Sequence, residues 1–464
     1  MIKIDHSAQV EAVSPQVPAL AVLADQLLGR EERQRARFSE GDDGLSRIKT
    51  GCLEIDNYVL CGGKNEPDGG FERGVVVGLS AADGNESLGG RLISLNLIAS
   101  VLLKHVDLVN AIRNPQNKSR NTVKPKVMVI DTTGSFSLPL LVKVLRSRIF
   151  KMRHETRNRN DASENLDNFN NSDEIEIQKQ VNAMLGLVGI SRVFNIEGLW
   201  EVLSEMGRTD SWLNNNGGGQ EISTNIPPKE VAYGERRAEP LHKLPDEIGD
   251  SEDEDIDLLT PPPVETASHI SNEVETNPEI LIIDNMHYLI SHLFTHSEKT
   301  SAHNLLCLLS RTLHTLTHTQ NILTILHNST ISTKINFTKH GTRQPPPPAI
   351  QSVFTSTAQK PSLGRIFDEF LDLHVMVSKV PKLREDAEVL YGQDENLQNE
   401  VSHCLVFEVL RDECPVLGKD RALGRRFGDR EQRWGLFEIG IEGTSLVDAF
   451  QSEITRDVEG NKSE

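Results

Sequence analysis

Short apolar runs separated by long polar stretches set the pattern of this chain. Val75, Val76, Val77 and Leu79 form a β-branched run of the kind a buried parallel strand shows. Past a glycine-bearing stretch, Leu92, Leu95, Ile98, Ala99 and Leu102 recur at helical spacing. The alternation continues with a strand at 127–130 and an amphipathic helix at 138–150. Residues 181–206 predict a helix, a short strand at 192–195 and a second helix carrying Leu199, Trp200, Val202 and Leu203. Glu279 to Asn285 is the clearest strand, with four apolar residues ending in a carboxylate. A helix over 303–317 and a strand over 321–327 follow. Residues 371–377 alternate as a strand does, 381–400 read as a charged hairpin loop, and 403–410 and 434–440 read as further strands. The expected fold is α/β: a mostly parallel central sheet flanked by helices, with C-terminal antiparallel strands and long disordered inserts.

Composition explains the gaps between those runs. Only 37% of the 464 residues are hydrophobic, low for a wholly globular chain. Two stretches account for the deficit. Residues 151–176 are polar and Asn-rich with a basic start at Lys151, Arg153, Arg157 and Arg159. Residues 207–276 hold an Asn/Gly run and the acidic series Asp246 to Asp257. Neither buries enough apolar surface to offset the entropy of ordering, so disorder is expected. Ser251 precedes acidic residues and reads either as a phosphorylation site or as part of an unmodified spacer. Residues 1–45 form a short, partly helical lead, and 446–464 a flexible tail.

The net charge of −19 argues against a dedicated nucleic-acid binder, which carries a basic footprint. Positive charge is local. Lys334, Lys339 and Arg343 lie in a proline-rich loop, and Lys419, Arg421, Arg425, Arg426, Arg430 and Arg433 crowd 419–433. The five cysteines form no Cys-x-x-Cys pair, and no His/Cys cluster with zinc-ligand spacing is read, so reduced thiols are expected. The start of the chain lacks the pattern of a signal peptide. No run of about 18 apolar residues predicts a membrane span. A soluble protein of the cytosol or nucleus is expected.

Candidate chemistry sits where strands end. Gly84-x-x-x-x-Gly89 has the frame of a phosphate-binding loop, but Gly90 and Arg91 stand where its Lys and Ser/Thr belong. Backbone N–H groups at a helix start still favour an anion, whereas a guanidinium does not replace an ammonium cleanly. A bare strand-to-helix turn is the alternative. Asp131 and Thr133 follow the strand at 127–130, at the end where open parallel sheets hold ligands. Asp284 ends the clearest strand in the form of a Walker B carboxylate, which holds Mg²⁺; the alternative is an Asp that caps the next element. Asn328 ends the strand at 321–327, where a polar side chain senses a γ-phosphate.

The order of these pieces resembles the ATPase core of the eukaryotic RecA-family strand-exchange recombinases, and especially their divergent accessory paralogues. It comprises Thr50-Gly51, Gly62-Gly63, the Gly84–Gly89 frame, Asp131-Thr-Thr-Gly-Ser-Phe136, the strand ending at Asp284, the strand ending at Asn328, and Pro361-Ser-Leu-Gly364. The resemblance covers roughly 46–445 and implies a RecA-like P-loop core. It places ATP at Gly84, Gly89, Gly90, Arg91 and Asn328, and Mg at Asp284. It also aligns the family's catalytic glutamate with Thr133, whose hydroxyl is a poor base. ATP and Mg binding are thus expected to be weak, and no catalytic residue is assigned. The family's N-terminal DNA-binding domain does not fit in 45 residues. Lys334, Lys339 and Arg343 fall where the family has its second DNA-binding loop, and Arg425 and Arg426 are the other candidate nucleic-acid contacts.

The resemblance implies an accessory subunit that assists the recombinase in homologous recombination and double-strand break repair in the nucleus. Its partners would be the strand-exchange recombinase or other paralogues, with DNA reached through the complex and no membrane. Two other readings stay open. One is a DNA-dependent ATPase in which Arg91 serves the P-loop. The other is a RecA-like subunit of an Elongator-type tRNA-modification complex, which RNA binding without DNA preference would favour.

Overall fold

The computed structural model describes residues 47–60, 69–105, 124–160, 171–208, 277–332, 352–354, 359–391, 401–414 and 430–450. The fold described below is that of the unit 1–207 with 276–464; the second polar stretch, 207–276, lies almost wholly outside the described residues.

Strands β3 (Val76–Ala81), β4 (Val127–Asp131), β5 (Val188–Arg192), β6 (Ile280–Asp284), β7 (Leu323–Ser332) and β9 (Leu373–Pro381) run parallel in the spatial order β9-β3-β7-β6-β4-β5. β10 (His403–Asp412), β11 (Trp434–Ile439) and β12 (Leu446–Asp448) extend the sheet antiparallel beyond β9. Short β8 (Gln359–Pro361) pairs antiparallel with the end of β7. The expected α/β class, with a parallel core and an antiparallel C-terminal set, is the one observed.

Helices cover both faces, which is why the strands read as continuous apolar runs. α1 (Asn85–Lys104), α2 (Leu138–Asn160) and α3 (Asn171–Leu185) pack on one face with Val77, Leu79, Val127, Val129, Ile280, Ile282 and Ile325. α4 (Ile196–Arg208), α5 (Met286–His296) and α6 (Lys299–Gln320) pack on the other with Val76, Ile130, Leu281, Ile283 and Leu326. Each such side chain contributes about 1.5–3 kcal/mol on burial. Among the described residues, α1 alone has the length and apolarity to cross a membrane, and 72% of that window lies inside the protein. It is a core helix.

The lead into the sheet is a small knot. Arg47–Ile48 (β1) pairs antiparallel with Phe71–Glu72 (β2), and Glu54–Val59 form a single π-helical turn. The Asp56 carboxylate accepts from Thr50 N and Oγ1, both at 2.9 Å, and from Gly51 N at 2.8 Å. Thr50-Gly51, the first piece of the motif order, is thus a turn held by the Asp56 carboxylate.

Several boundaries differ from expectation. Helix occupies 151–160 and 171–176, at both ends of the first polar stretch, because α2 packs on α1 and α3 packs on α2. The strand expected at 192–195 lies at Val188–Arg192. A separate helix, α5, precedes α6, which is longer than expected. Arg384–Tyr391, inside the expected hairpin loop, is a helix (α8) after the short α7 (Arg365–Asp368). Leu446–Asp448 pairs with β11 where a frayed tail is expected. The alternation in β9 does not mark a solvent face: Leu373 to Ser378 are all buried, polar members included. Residues 1–46, the turn at 64–68 and Ser251 lie outside the described residues.

Candidate functional site

The carboxyl ends of β3, β4, β6 and β7 meet the start of α1, and Gly84, Arg91, Asp131 and Asp284 gather there. The Gly84–Gly89 frame is not a loop. Only Ala82, Asp83 and Gly84 separate β3 from α1, and the helix is under way at Asn85. Gly84 is the N-cap at φ 98°, a backbone conformation that disfavours any side chain. Gly89 and Gly90 lie inside the helix and face the core. A Cβ on Gly89 would come within 2.7 Å of Leu405 Cδ1, and one on Gly90 within 2.7 Å of Leu79 Cδ2. These glycines let the helix sit close to the sheet. Arg91 is exposed one residue further on.

Parallel register sets Asp131 beside Asp284, and both are nearly buried. Asp131 is committed to its own turn, accepting from Gly134 N at 2.8 Å and Ser135 N at 3.1 Å. Ser135 links the two strands, because its hydroxyl donates to Asp284 Oδ2 and accepts from Thr133 Oγ1. Thr132 Oγ1 donates to the Asp284 carbonyl at 2.5 Å. Capping of the next helix, the alternative role for Asp284, falls to Asn285, whose side chain accepts from Tyr288 N at 3.1 Å.

His327 is a member that sequence reasoning missed. It sits half-buried one residue before Asn328 and shares a hydrogen bond of 2.8 Å with Ser94 Oγ of α1. Enclosure by protein holds its imidazole below the usual value; the Asp284 carboxylate opposes that shift and Arg91 adds to it. Asp284, His327 and Arg91 are therefore electrostatic neighbours. The signal was a polar residue at the end of an apolar strand, but His is also an ordinary residue in such a place.

Asn328 turns away from this group. Side chains alternate along a strand, so His327 shares the α1 face with Ile325, and Asn328 shares the opposite face with Leu326. There its Nδ2 donates to Ser80 Oγ and to the Ser362 carbonyl, both at 3.1 Å, and its Oδ1 accepts from Ser362 Oγ at 2.6 Å. Ser80 Oγ continues to His374 Nε2 at 2.9 Å, and His374 Nδ1 to Asp368 Oδ1 at 3.0 Å. Ser, His and Asp in that order have the residue types of a nucleophilic triad, but Ser80 is fully buried and admits no substrate. The chain ties β3, β7 and β9 to the Pro361–Gly364 turn, and both amide hydrogens of Asn328 are used in it.

No protein-family model matches the chain, and no curated protein matches it. Among solved structures, the crystal structure of the RadB recombinase is similar over 86% of this chain and 99% of that one, with a TM-score of 0.39 and 11% identity.

A Mg²⁺ ion takes one or two carboxylates and completes its shell with water and phosphate oxygens. Asp284, with Asp131 beside it, fits that part. The helix start does not form a P-loop cradle: the turn has three residues, Gly90 is packed on Leu79, and Asp83 and Glu86 bring negative charge there. Of the other candidates, Lys334, Lys339, Arg343, Arg425 and Arg426 lie outside the described residues. Arg430, counted in the basic stretch, belongs to the core. It is buried, with Nε 2.7 Å from Asp412 Oδ2 and Nη2 3.0 Å from Oδ1.

Proposed function

We propose that this chain is an accessory, paralogue-type subunit that assists a strand-exchange recombinase in homologous recombination and double-strand break repair. It acts mainly by binding other proteins, with nucleotide hydrolysis weak or lost. The observation that carries the second half is Gly90, packed on Leu79 where a phosphate-binding lysine would stand. The first half rests on the motif order: Asp131 to Phe136, Asp284 and Asn328 fall at the carboxyl ends of three neighbouring parallel strands, and the Pro361–Gly364 turn follows β8, which pairs with the end of β7. A nuclear location and contact with recombinase paralogues, and with DNA through them, go with that role.

The test is affinity purification of the full chain from its host, before and after induced DNA breaks. Recovery of the recombinase or its paralogues supports the reading, and recovery of tRNA-modification subunits overturns it. A parallel assay measures ATP turnover. Turnover abolished by Asp284→Ala would make the chain a DNA-dependent ATPase with an unorthodox phosphate loop instead.

A further inference from the structure

At the opposite, amino-terminal edge of the parallel strands, two histidines and a carboxylate converge. His314 and His318 are one turn apart on α6, so they share a face. Their rings stack with centroids 5.9 Å apart and planes 16° apart. Asp372 is the residue before β9. The ligand atoms of the three residues all lie within 4.8 Å of one another. His314 Nδ1 is 3.6 Å from Asp372 Oδ2, beyond hydrogen-bond reach. Tetrahedral ligands at about 2.0–2.2 Å from a cation stand roughly 3.3–3.6 Å from each other, which is this separation.

We propose that His314, His318 and Asp372 bind a divalent cation of the zinc class. Two imidazoles and one carboxylate leave a fourth position for water, as in three-ligand zinc sites. Imidazole nitrogen favours Zn²⁺ over the oxygen-seeking Mg²⁺ and Ca²⁺. The outer partners that such a site needs are present. Asp372 Oδ2 accepts from Val76 N at 2.8 Å, and its backbone N donates to the Val76 carbonyl at 2.9 Å. The Gly74 backbone lies against the His318 ring as a further outer partner. The nearby Arg73 guanidinium is directed elsewhere, to the Asn321 carbonyl at 2.9 Å and to Glu279. The ligands are half-buried, with 26% of the His314 side chain and 13% of the Asp372 side chain exposed, so an ion has an entry path. A bound ion would staple α6 to the lead-ins of β3 and β9. It lies at the other end of the strands from Asp284 and does not depend on the proposed function.

The test titrates chelator-stripped full-length protein with Co²⁺, followed by its d–d absorption, and with Zn²⁺, followed by thermal unfolding. One ion per chain and a Zn²⁺-dependent rise in Tm are expected. The double variant His314→Gln/His318→Gln should lower affinity by more than about tenfold, the loss that removal of even an outer partner brings. The pair His292→Gln/His296→Gln on α5 has ring centroids 4.3 Å apart. It should leave binding intact. No saturable binding, binding that survives the 314/318 double variant, or binding lost only with the 292/296 pair would overturn the site. Should the double variant fail to fold, His314→Gln alone, at the exposed rim, gives the same readout.

Discussion

Gly90 separates two accounts of the helix start. If the chain had lost a lysine from an otherwise intact phosphate loop, restoring it would restore binding. The packing says otherwise, because the first carbon of any side chain there meets Leu79. Forcing extra atoms into a packed core costs about 1–3 kcal/mol, more than the roughly 1 kcal/mol that replacing a mid-helix glycine returns. Gly90→Lys is therefore expected to lower Tm and leave ATP affinity unchanged; thermal unfolding and nucleotide titration of the same sample check both. Restored tight binding would show that the α1 start rebuilds into a loop.

Two buried charges hold elements together where hydrogen-bonded strands alone would not. Glu279, at the mouth of β6, pairs with His105 after α1 and with Arg73 at 3.5 Å before β3. Burial alone would raise its carboxyl; the His105 hydrogen bond and the charges of Arg73, His105 and Lys126 outweigh that and hold it below the usual value. A carboxyl depressed in the fold adds stability above its unfolded value, about 4.5, and that contribution is lost as pH falls through the folded value. Glu279→Gln should thus be less stable at pH 7 and show a shallower loss of Tm below about pH 4.5 than the parent. The other charge is Arg430, clasped by Asp412 at the end of β10 and 3.6 Å from Glu72 of β2. Removing one partner of a buried pair costs about 3–5 kcal/mol where the other is left uncompensated; Glu72 still faces Arg430, which points to the lower end of that range. Asp412→Ala is expected to destabilise on that scale in denaturant unfolding, whereas Lys382→Ala, at a half-exposed pair with Glu438, should cost under about 1 kcal/mol.

At the scale of the whole molecule, a net charge of −19 opposes contact with DNA, so any direct contact is confined to local basic stretches. With Arg430 in the core, Arg425 and Arg426 are the better candidates in 419–433. If they touch phosphates, Arg425→Ala/Arg426→Ala should weaken DNA binding and flatten its salt dependence by about two phosphate contacts. An unchanged salt slope would return them to the solvated surface. The apolar runs and their alternation with helical spacing were enough to predict an α/β chain with a parallel core, because strands buried on both faces must be apolar throughout. Strand-end polar residues were legible for the same reason: Asp131 and Asp284 end uninterrupted apolar runs, and Asn328 follows one broken only by Thr324 and His327. Tertiary structure alone decided what those residues do. Period-two alternation sends Asn328 into a buried network with Ser80 and His374, residues far apart in sequence. Close helix–sheet approach turns Gly89 and Gly90 into packing residues. Only folding brings Asp372 within reach of two histidines more than fifty positions before it. Sequence spacing carries the local period of a strand or a helix; contacts between distant segments depend on how those elements are stacked.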